Sequence, residues 1–586
     1  MKFLGNVVAT VVGLFLFIMI FVFGIIFIGV IFGGESEKVT VEDNSVIELN
    51  LQNVSSDFTG KFSDPLVSMF QGENRVGFTD VLTAIAAAQE DDNIKGISIL
   101  NNSSNLGMAQ LKELRDELAR FKKSGKFIVS YSEVLSQKEY YLSSVADTIY
   151  LNPLGEMDFK GLSSEVMFFK DLQEKTGVKL EVIRHGKYKS AVEPFISNEI
   201  SDANREQISA LLNSVWTGMV GDIATSRKVS VAQLNNIADG LLARTPEMAK
   251  TEKLIDKVSY EDQYHAGIKS ALKVAKDKEY KKITIVDYTL NNNTKPKNTS
   301  AESRIAVIYA QGEIRSGEGD VSYIGEKSMN RALKEARDNK DIKAVVLRID
   351  SPGGSALTSE LIWREIELTK KVKPVVVSMG NVAASGGYYI ACNANKIFAE
   401  NTTITGSIGV FGMLPNFSTL SEKMGIHTEQ VTTHTNSADY SPFVPLSDTY
   451  RKVTQESIER IYTTFVNRVV AGRKMTFEQV DAIGQGRVWT GAEALKIGLV
   501  DEIGGLDKAL AEAAKLAKIK EYRTVNFPEF DKKFEDIFAG LPFATSKAAL
   551  IEEEIGAENY KIWQRLKEAS SRTGIQTALP FELSIK

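Results

Sequence analysis

Apolar residues fall along this chain in two rhythms. From Val7 to Phe32 they form a run of 26 residues without a charge. Crossing the bilayer core takes about 20 residues, and a secretory signal carries only about 7–15 apolar ones. Gly33–Gly34–Glu35 is a poor small-residue cleavage site, so the run reads as an uncleaved signal anchor, with a cleaved signal as the bland alternative. Beyond it, short apolar runs alternate with segments of helical spacing. Arg304–Tyr309, Ala344–Ile349 and Pro374–Ser378 read as strands, Ser328–Ala336 and Ser359–Thr369 as helices, and a further helix starts near Ser385. This alternation predicts α/β domains with largely parallel strands.

The pattern occurs twice. At a constant offset of 248 residues, Ile94–Lys95 matches Ile342–Lys343, Val129–Ser130 matches Val377–Ser378, and Tyr140–Tyr141 matches Tyr388–Tyr389. Ile149, Gly161, Glu174–Lys175, Gly177 and Pro194–Phe195 find Ile397, Gly409, Glu422–Lys423, Gly425 and Pro442–Phe443 in the same register. So long a period means duplicated domains rather than a solenoid. The expected organisation is a short cytoplasmic N-terminus (1–6), a transmembrane anchor (7–32), a first copy (45–290), a second copy (301–520) and a tail (521–586). The polar, apolar-poor stretch Asn291–Ser300 is the expected linker. Lys547–Ser570 reads as an exposed helix.

Charge sets the expected orientation. Lys2 precedes the span, while Glu35 and Glu37 follow it with only Lys38 close behind. The positive-inside rule then leaves the body extracytoplasmic, on a single-pass inner-membrane anchor. The 586 residues carry a net charge of −5, which gives no reason to expect a nucleic-acid partner. The single cysteine, Cys392, cannot form an intrachain disulfide and reads as a buried small hydrophobe. His185, His265, His427 and His434 show no metal-binding spacing, so neither a metal nor another cofactor is expected.

Candidate chemistry lies in the second copy, in two glycine clusters that each follow a strand: Asp350-Ser351-Pro352-Gly353-Gly354-Ser355 and Ala383-Ala384-Ser385-Gly386-Gly387. A strand, Ser-Gly-Gly and a helix place a hydroxyl at a helix N-terminus, where backbone N–H groups favour developing negative charge. Such a site suits acyl transfer; the bland reading is a serine that only caps a helix. In the first copy Gln137 replaces Ser385, Lys138–Glu139 replace Gly386–Gly387, and Asn101–Asn105 replace the first glycine turn. That copy instead holds Arg184-His185-Gly186-Lys187-Tyr188-Lys189-Ser190-Ala191. The matching Thr432–Ala438 has no lysine, and Ser437 stands where Lys189 would. Each copy lacks what the other keeps, which points to one site at their interface. The proton acceptor for Ser385 is then Lys189, made neutral by burial with Arg184 and Lys187 adding repulsion, or else His427 or His434. The bland reading of the basic stretch is a solvated loop.

Lys189-Ser190-Ala191-Val192-Glu193-Pro194-Phe195, Asp350–Gly354, Ala384–Gly387 and Thr405-Gly406-Ser407-Ile408-Gly409 together resemble signal peptide peptidase A, over roughly residues 45–520. The resemblance implies two tandem domains similar to crotonase and the Clp protease proteolytic subunit. It implies Ser385 as nucleophile, Lys189 as general base and Ser407 as the hydroxyl orienting its amine. It also implies an oxyanion hole from the N–H groups of Gly354 and Gly386, a homotetramer, and apolar peptides such as remnant signal peptides as substrates. Three other readings compete. A crotonase-type acyl-CoA enzyme fits poorly with an extracytoplasmic body. A penicillin-binding enzyme would use Ser270-Ala271-Leu272-Lys273, Ser103-Ser104-Asn105 and Lys175-Thr176-Gly177, which stand in the wrong chain order. An inert membrane scaffold would have no use for the glycine clusters.

Overall fold

The apolar runs become the inner strands of two sheets, because parallel strands covered by helices on both faces must be apolar on both faces. The computed structural model describes residues 12–17, 19–21, 40–52, 54, 56–62, 76–291, 301–438, 440–530 and 575–578. The first sheet runs Lys257–Val258, Thr148–Met157, Phe127–Leu135, Ile94–Leu100, Ser45–Leu49, Lys282–Thr284, with every pair parallel. The second runs Val488–Thr490, Ile404–Gly406, Val375–Ala384, Ile342–Ser351, Arg304–Gln311, Arg523–Phe527. Its one antiparallel neighbour pair on this path is Ile404–Gly406 with Val488–Thr490. The strand expected to end at Ser378 thus reaches Ala384, and Arg523–Phe527, within the segment read as tail, is an edge strand of the second sheet.

The duplication persists in caps and ion pairs. Helices Asp202–Arg227 and Asp448–Arg473 each follow a serine whose side chain accepts from a backbone N–H, Ser201 from Asn204 and Ser447 from Tyr450. Each ends at a left-handed lysine, Lys228 or Lys474. Arg227 then pairs with Asp256 at 2.8 Å and Arg473 with Asp501 at 2.7 Å. Those carboxylates accept from the backbone N–H groups of Ile149 and Ile397, again matched positions.

Two features lock the copies together. One is the buried Arg348 of the second copy, whose guanidinium meets Asp57 at 2.5 Å and Glu113 of the first copy at 2.8 Å. Charges this deep must be paired, and removing one partner is strongly destabilising. The other is a third sheet, ordered Tyr323–Gly325, Glu313–Arg315, Gly353–Ser355, Ile575–Ala578, Val410–Asn416, Lys179–His185. There the first copy's Lys179–His185 pairs antiparallel with the second copy's Val410–Asn416, from Val410 opposite His185 to Asn416 opposite Lys179.

Among the described residues no helix is long and apolar enough to cross a membrane. The expected anchor over 7–32 lies outside them except for 12–17 and 19–21, which are helical. The expected linker, Asn291 apart, and the helix expected over 547–570 also lie outside the described residues.

Candidate active site

The strand Val375–Ala384 is buried along nearly its whole length and delivers Ser385 to the start of helix Gly386–Ala391. Ser385 sits at φ 55°, ψ −114°, a conformation costly for a residue with a Cβ. Its side chain makes no capping hydrogen bond, unlike Ser136, which caps the equivalent first-copy helix by accepting from Glu139 N–H. The helix-cap reading of Ser385 therefore fails: the hydroxyl is held away from the cap position. The first N–H groups of that helix, beginning with Gly386, have no acceptor within the helix.

The two glycine clusters meet. A Cβ on Gly387 would fall 2.7 Å from Ser351 O, so the helix start packs against the end of strand Ile342–Ser351. Gly354 follows at φ +152°, and a Cβ there would lie 2.0 Å from Ile314 O. Only glycine fits this approach. Asp350 stitches the two strands together, its carboxylate accepting from Val382 N–H at 2.9 Å and from Asn381 Nδ2 at 3.0 Å.

Lys189 arrives from the first copy. Its strand, Lys179–His185, is aimed by pairing with Val410–Asn416, and the chain then turns at Gly186. Tyr188 N–H donates to Gln485 O at 2.8 Å, fixing the loop on the second copy. Lys189 Nζ ends 2.9 Å from Ser385 Oγ, 3.0 Å from Ser407 Oγ and 3.2 Å from Ser407 O. All three side chains are fully buried. The ring of Phe411 lies 5.9 Å from Nζ. Burial holds the Lys189 amine well below the ordinary lysine value of 10.5. Burial alone accounts for the shift: the repulsion that Arg184 and Lys187 were expected to add does not contribute, and the Arg184 guanidinium instead donates to Lys189 O.

The four histidines lie elsewhere. His427 and His434 are exposed, His185 pairs with Glu459 and stacks on Tyr462, and His265 meets Tyr280 and Glu261. Cys392 is buried, and burial pushes its thiol up to about 12. In the first copy, Gln137 fills the place that Ser385 holds in the second, its Oε1 accepting from the N–H groups of Lys160 and Gly161 at 3.0 Å. Ser437 is exposed and donates to His434 O.

The sequence reading missed the lysine's seat. Gly486 stands at φ +82°, and a Cβ there would lie 2.6–2.7 Å from Lys189 N, Cα and Cβ. A Cβ on Gly409 would lie 2.7 Å from Gly486 Cα and 3.1 Å from Lys189 Cδ. Gly409 carried a signal in the Gly406–Gly409 motif, but nothing marks Gly486 among 43 glycines. A buried, deprotonatable amine in contact with a strained serine hydroxyl, beside two glycine turns, can activate that hydroxyl for attack on a carbonyl.

The model of peptidase family S49 matches residues 120–275 and again 367–520. Protease 4 of Haemophilus influenzae is 34% identical over 504 residues, covering 83% of this chain and 82% of that protein. Protease 4 of Salmonella typhi is 38% identical over 453 residues, 76% of this chain and 72% of that one. The chloroplastic serine protease SPPA of Arabidopsis thaliana is 33% identical over 518 residues, 86% and 74% of the two chains.

The seat yields a test. Gly486→Ala should displace the lysine loop without touching Ser385, lowering kcat by about 100-fold, the scale of a 1 Å misplacement. Steady-state peptide hydrolysis with circular dichroism as a fold control checks this; an unchanged kcat would remove Gly486 from the site.

Proposed function

The chain belongs to peptidase family S49 and is a serine protease, and we propose that Ser385 is its nucleophile and Lys189 its general base. The observation that carries this reading is the 2.9 Å approach of Lys189 Nζ to Ser385 Oγ inside a fully buried pocket. A neutral Lys189 takes the Ser385 proton as Oγ attacks the peptide carbonyl. The N–H groups of Gly354 and Gly386 hold the oxyanion. The lysine then gives its proton to the leaving amine, and water, activated by the same amine, hydrolyses the acyl-enzyme. Ser407 Oγ orients Nζ. No cofactor takes part in this scheme.

The substrates we propose are apolar peptides, including signal peptides left in the inner membrane after release from preproteins. The uncharged run from Val7 to Phe32 supports a body tethered at the extracytoplasmic membrane surface, where such peptides reside. Ser385→Ala should abolish hydrolysis of an apolar peptide panel, and Lys189→Ala should reduce it by at least about 10⁴-fold, the scale of losing a triad partner. Labelling of Ser385 by a serine-reactive phosphonate reads the same step. Undiminished turnover in either variant would overturn the assignment.

We also propose a homo-oligomer, a tetramer by family resemblance, and the duplication supports it. Lys179–His185 and Val410–Asn416 pair within the chain, yet their counterparts at the repeat offset, 427–433 and 162–168, run as coil. Val431 is fully exposed and Met167 is 40% exposed. If 162–168 of one subunit pairs with 427–433 of the next, the contact is head-to-tail, and four such contacts with a rotation of about 90° between neighbours close into the proposed tetrameric ring. The register of the intrachain pair sets Ser164 opposite Val431. Ser164→Cys with Val431→Cys should therefore give a disulfide ladder of subunits on non-reducing gels. Monomer alone under oxidation would rule out this arrangement.

A further inference from the structure

The duplication leaves a second pocket in the first copy, at the place that mirrors the surroundings of Ser385. At the repeat offset, Asn105-Leu106-Gly107 stand for Gly353-Gly354-Ser355, and Ser136-Gln137-Lys138 stand for Ala384-Ser385-Gly386. The local structure agrees: helix Met108–Lys123 starts after Gly107, as helix Ala356–Lys370 starts after Ser355. Gln137 occupies the position of Ser385, yet a cavity of about 430 Å³ remains beside it, lined by all six of these first-copy residues. That volume is within the range of small-ligand sites.

The cavity lies on the seam between the copies. Asn381, Val382, Thr402 and Ile404 of the second copy complete its wall. Asn381 is fixed there, its Nδ2 donating to Gln110 Oε1 at 2.8 Å and its Oδ1 accepting from Gln110 N–H at 3.2 Å. Leu106, Met108, Leu162, Met219, Val382 and Ile404 make the lining largely apolar. Two polar groups in it are short of partners. Thr402 is 5% exposed, and among the described residues its Oγ1 has no hydrogen-bond partner, where a buried hydroxyl is normally bonded. Lys138 is half-buried, and its ammonium donates to Ser104 O at a long 3.3 Å. The carboxylates around it are engaged: Asp158 pairs with Lys160 at 3.0 Å, and Glu139 accepts from Ser136 N–H at 3.2 Å. Burial accordingly lowers the pKa of Lys138, with Glu139 offsetting part of the effect.

An anion carried on an apolar chain satisfies both groups at once. Hydrolysis of a peptide bond makes such a species: water adds its oxygen to the acyl side, which leaves as a new C-terminal carboxylate. We propose that this cavity binds the C-terminal carboxylate of apolar peptides, with Lys138 and Thr402 as partners of the carboxylate and the apolar wall around the last side chain. The inference rests on the chain's being a protease and not on the assignment of Ser385 and Lys189. The site does no chemistry, because Gln137 offers no nucleophile. It does touch the catalytic strand: Asn381 Nδ2 and Val382 N–H, in its wall, hold the Asp350 carboxylate at 3.0 Å and 2.9 Å, and Ser385 follows three residues after Val382.

Leu162 begins the segment proposed to face the next subunit, so the test uses the full chain as it assembles. Acetyl-Leu-Leu with a free carboxylate is titrated calorimetrically into wild type and Lys138→Met, alongside acetyl-Leu-Leu amide and decanoate. The acid should bind wild type at least about tenfold more tightly than the amide, the scale of a hydrogen bond to a charged group. Lys138→Met should abolish that difference, and Lys138→Arg, which keeps the charge, should retain it. Thr402→Val should weaken the acid about fivefold. Binding of the acid beside Ser385 is insensitive to Lys138, so the Lys138-dependent part reports the cavity. Equal binding of acid and amide, or a difference untouched by Lys138→Met, overturns the inference. Decanoate binding as tightly as the dipeptide overturns the peptide assignment in favour of a fatty acid.

Discussion

A lysine proposed as a base can take a proton only after losing its own, and the packing around Lys189 meets that requirement. Keeping an amine neutral calls for a pocket from which water is excluded, and no single loop supplies one. Here Ser385, Ser407, Gly409, Phe411 and Gly486 of the second copy close around a side chain that enters from the first. Burial opposes only the charged state, so it depresses the amine's pKa without a neighbouring cation. The pairing of Lys179–His185 with Val410–Asn416 and the Arg348–Asp57–Glu113 cluster hold the two copies in register, and the pocket depends on that register.

Duplication explains why the site is divided. Two equal copies joined in tandem hold two potential sites, and each copy here has lost complementary parts. Gln137 does not leave a hole where a nucleophile would stand; it fills the space and satisfies the N–H groups of Lys160 and Gly161. The segment around Ser437 has moved further, into exposed coil without a seat for an amine. The features retained in both copies, such as the Arg227–Asp256 and Arg473–Asp501 pairs, are those that hold helix to sheet. Chemistry was free to diverge while this scaffold was kept.

Much of this was legible in the residues. The register of matches from Ile94/Ile342 to Pro194/Phe195 and Pro442/Phe443 exposed the duplication, and the strand–glycine–helix order marked Ser385. Lys189 could be picked out because its counterpart is Ser437. Three things were not legible, for separate physical reasons. Pairing between Lys179–His185 and Val410–Asn416 joins strands far apart in sequence, and neither carries a mark of its partner. Gly486 acts through the absence of a Cβ beside Lys189, a property that belongs to the tertiary approach and not to any motif. Ile575–Ala578 is too short and too ordinary in composition to stand out, and its position comes entirely from the edges on either side.

The central claim is that Lys189 is a base because it is buried. The most direct measurement is the pH dependence of the rate at which a phosphonate phosphonylates Ser385, in the wild-type chain and in Lys189→Ala. A depressed pKa means that the base is present above that pKa and lost as pH falls through it. The wild-type rate should therefore rise with pH to a plateau whose midpoint lies well below 10.5, and this limb should vanish in Lys189→Ala. A midpoint at the ordinary lysine value, or the same limb persisting without Lys189, would contradict the account.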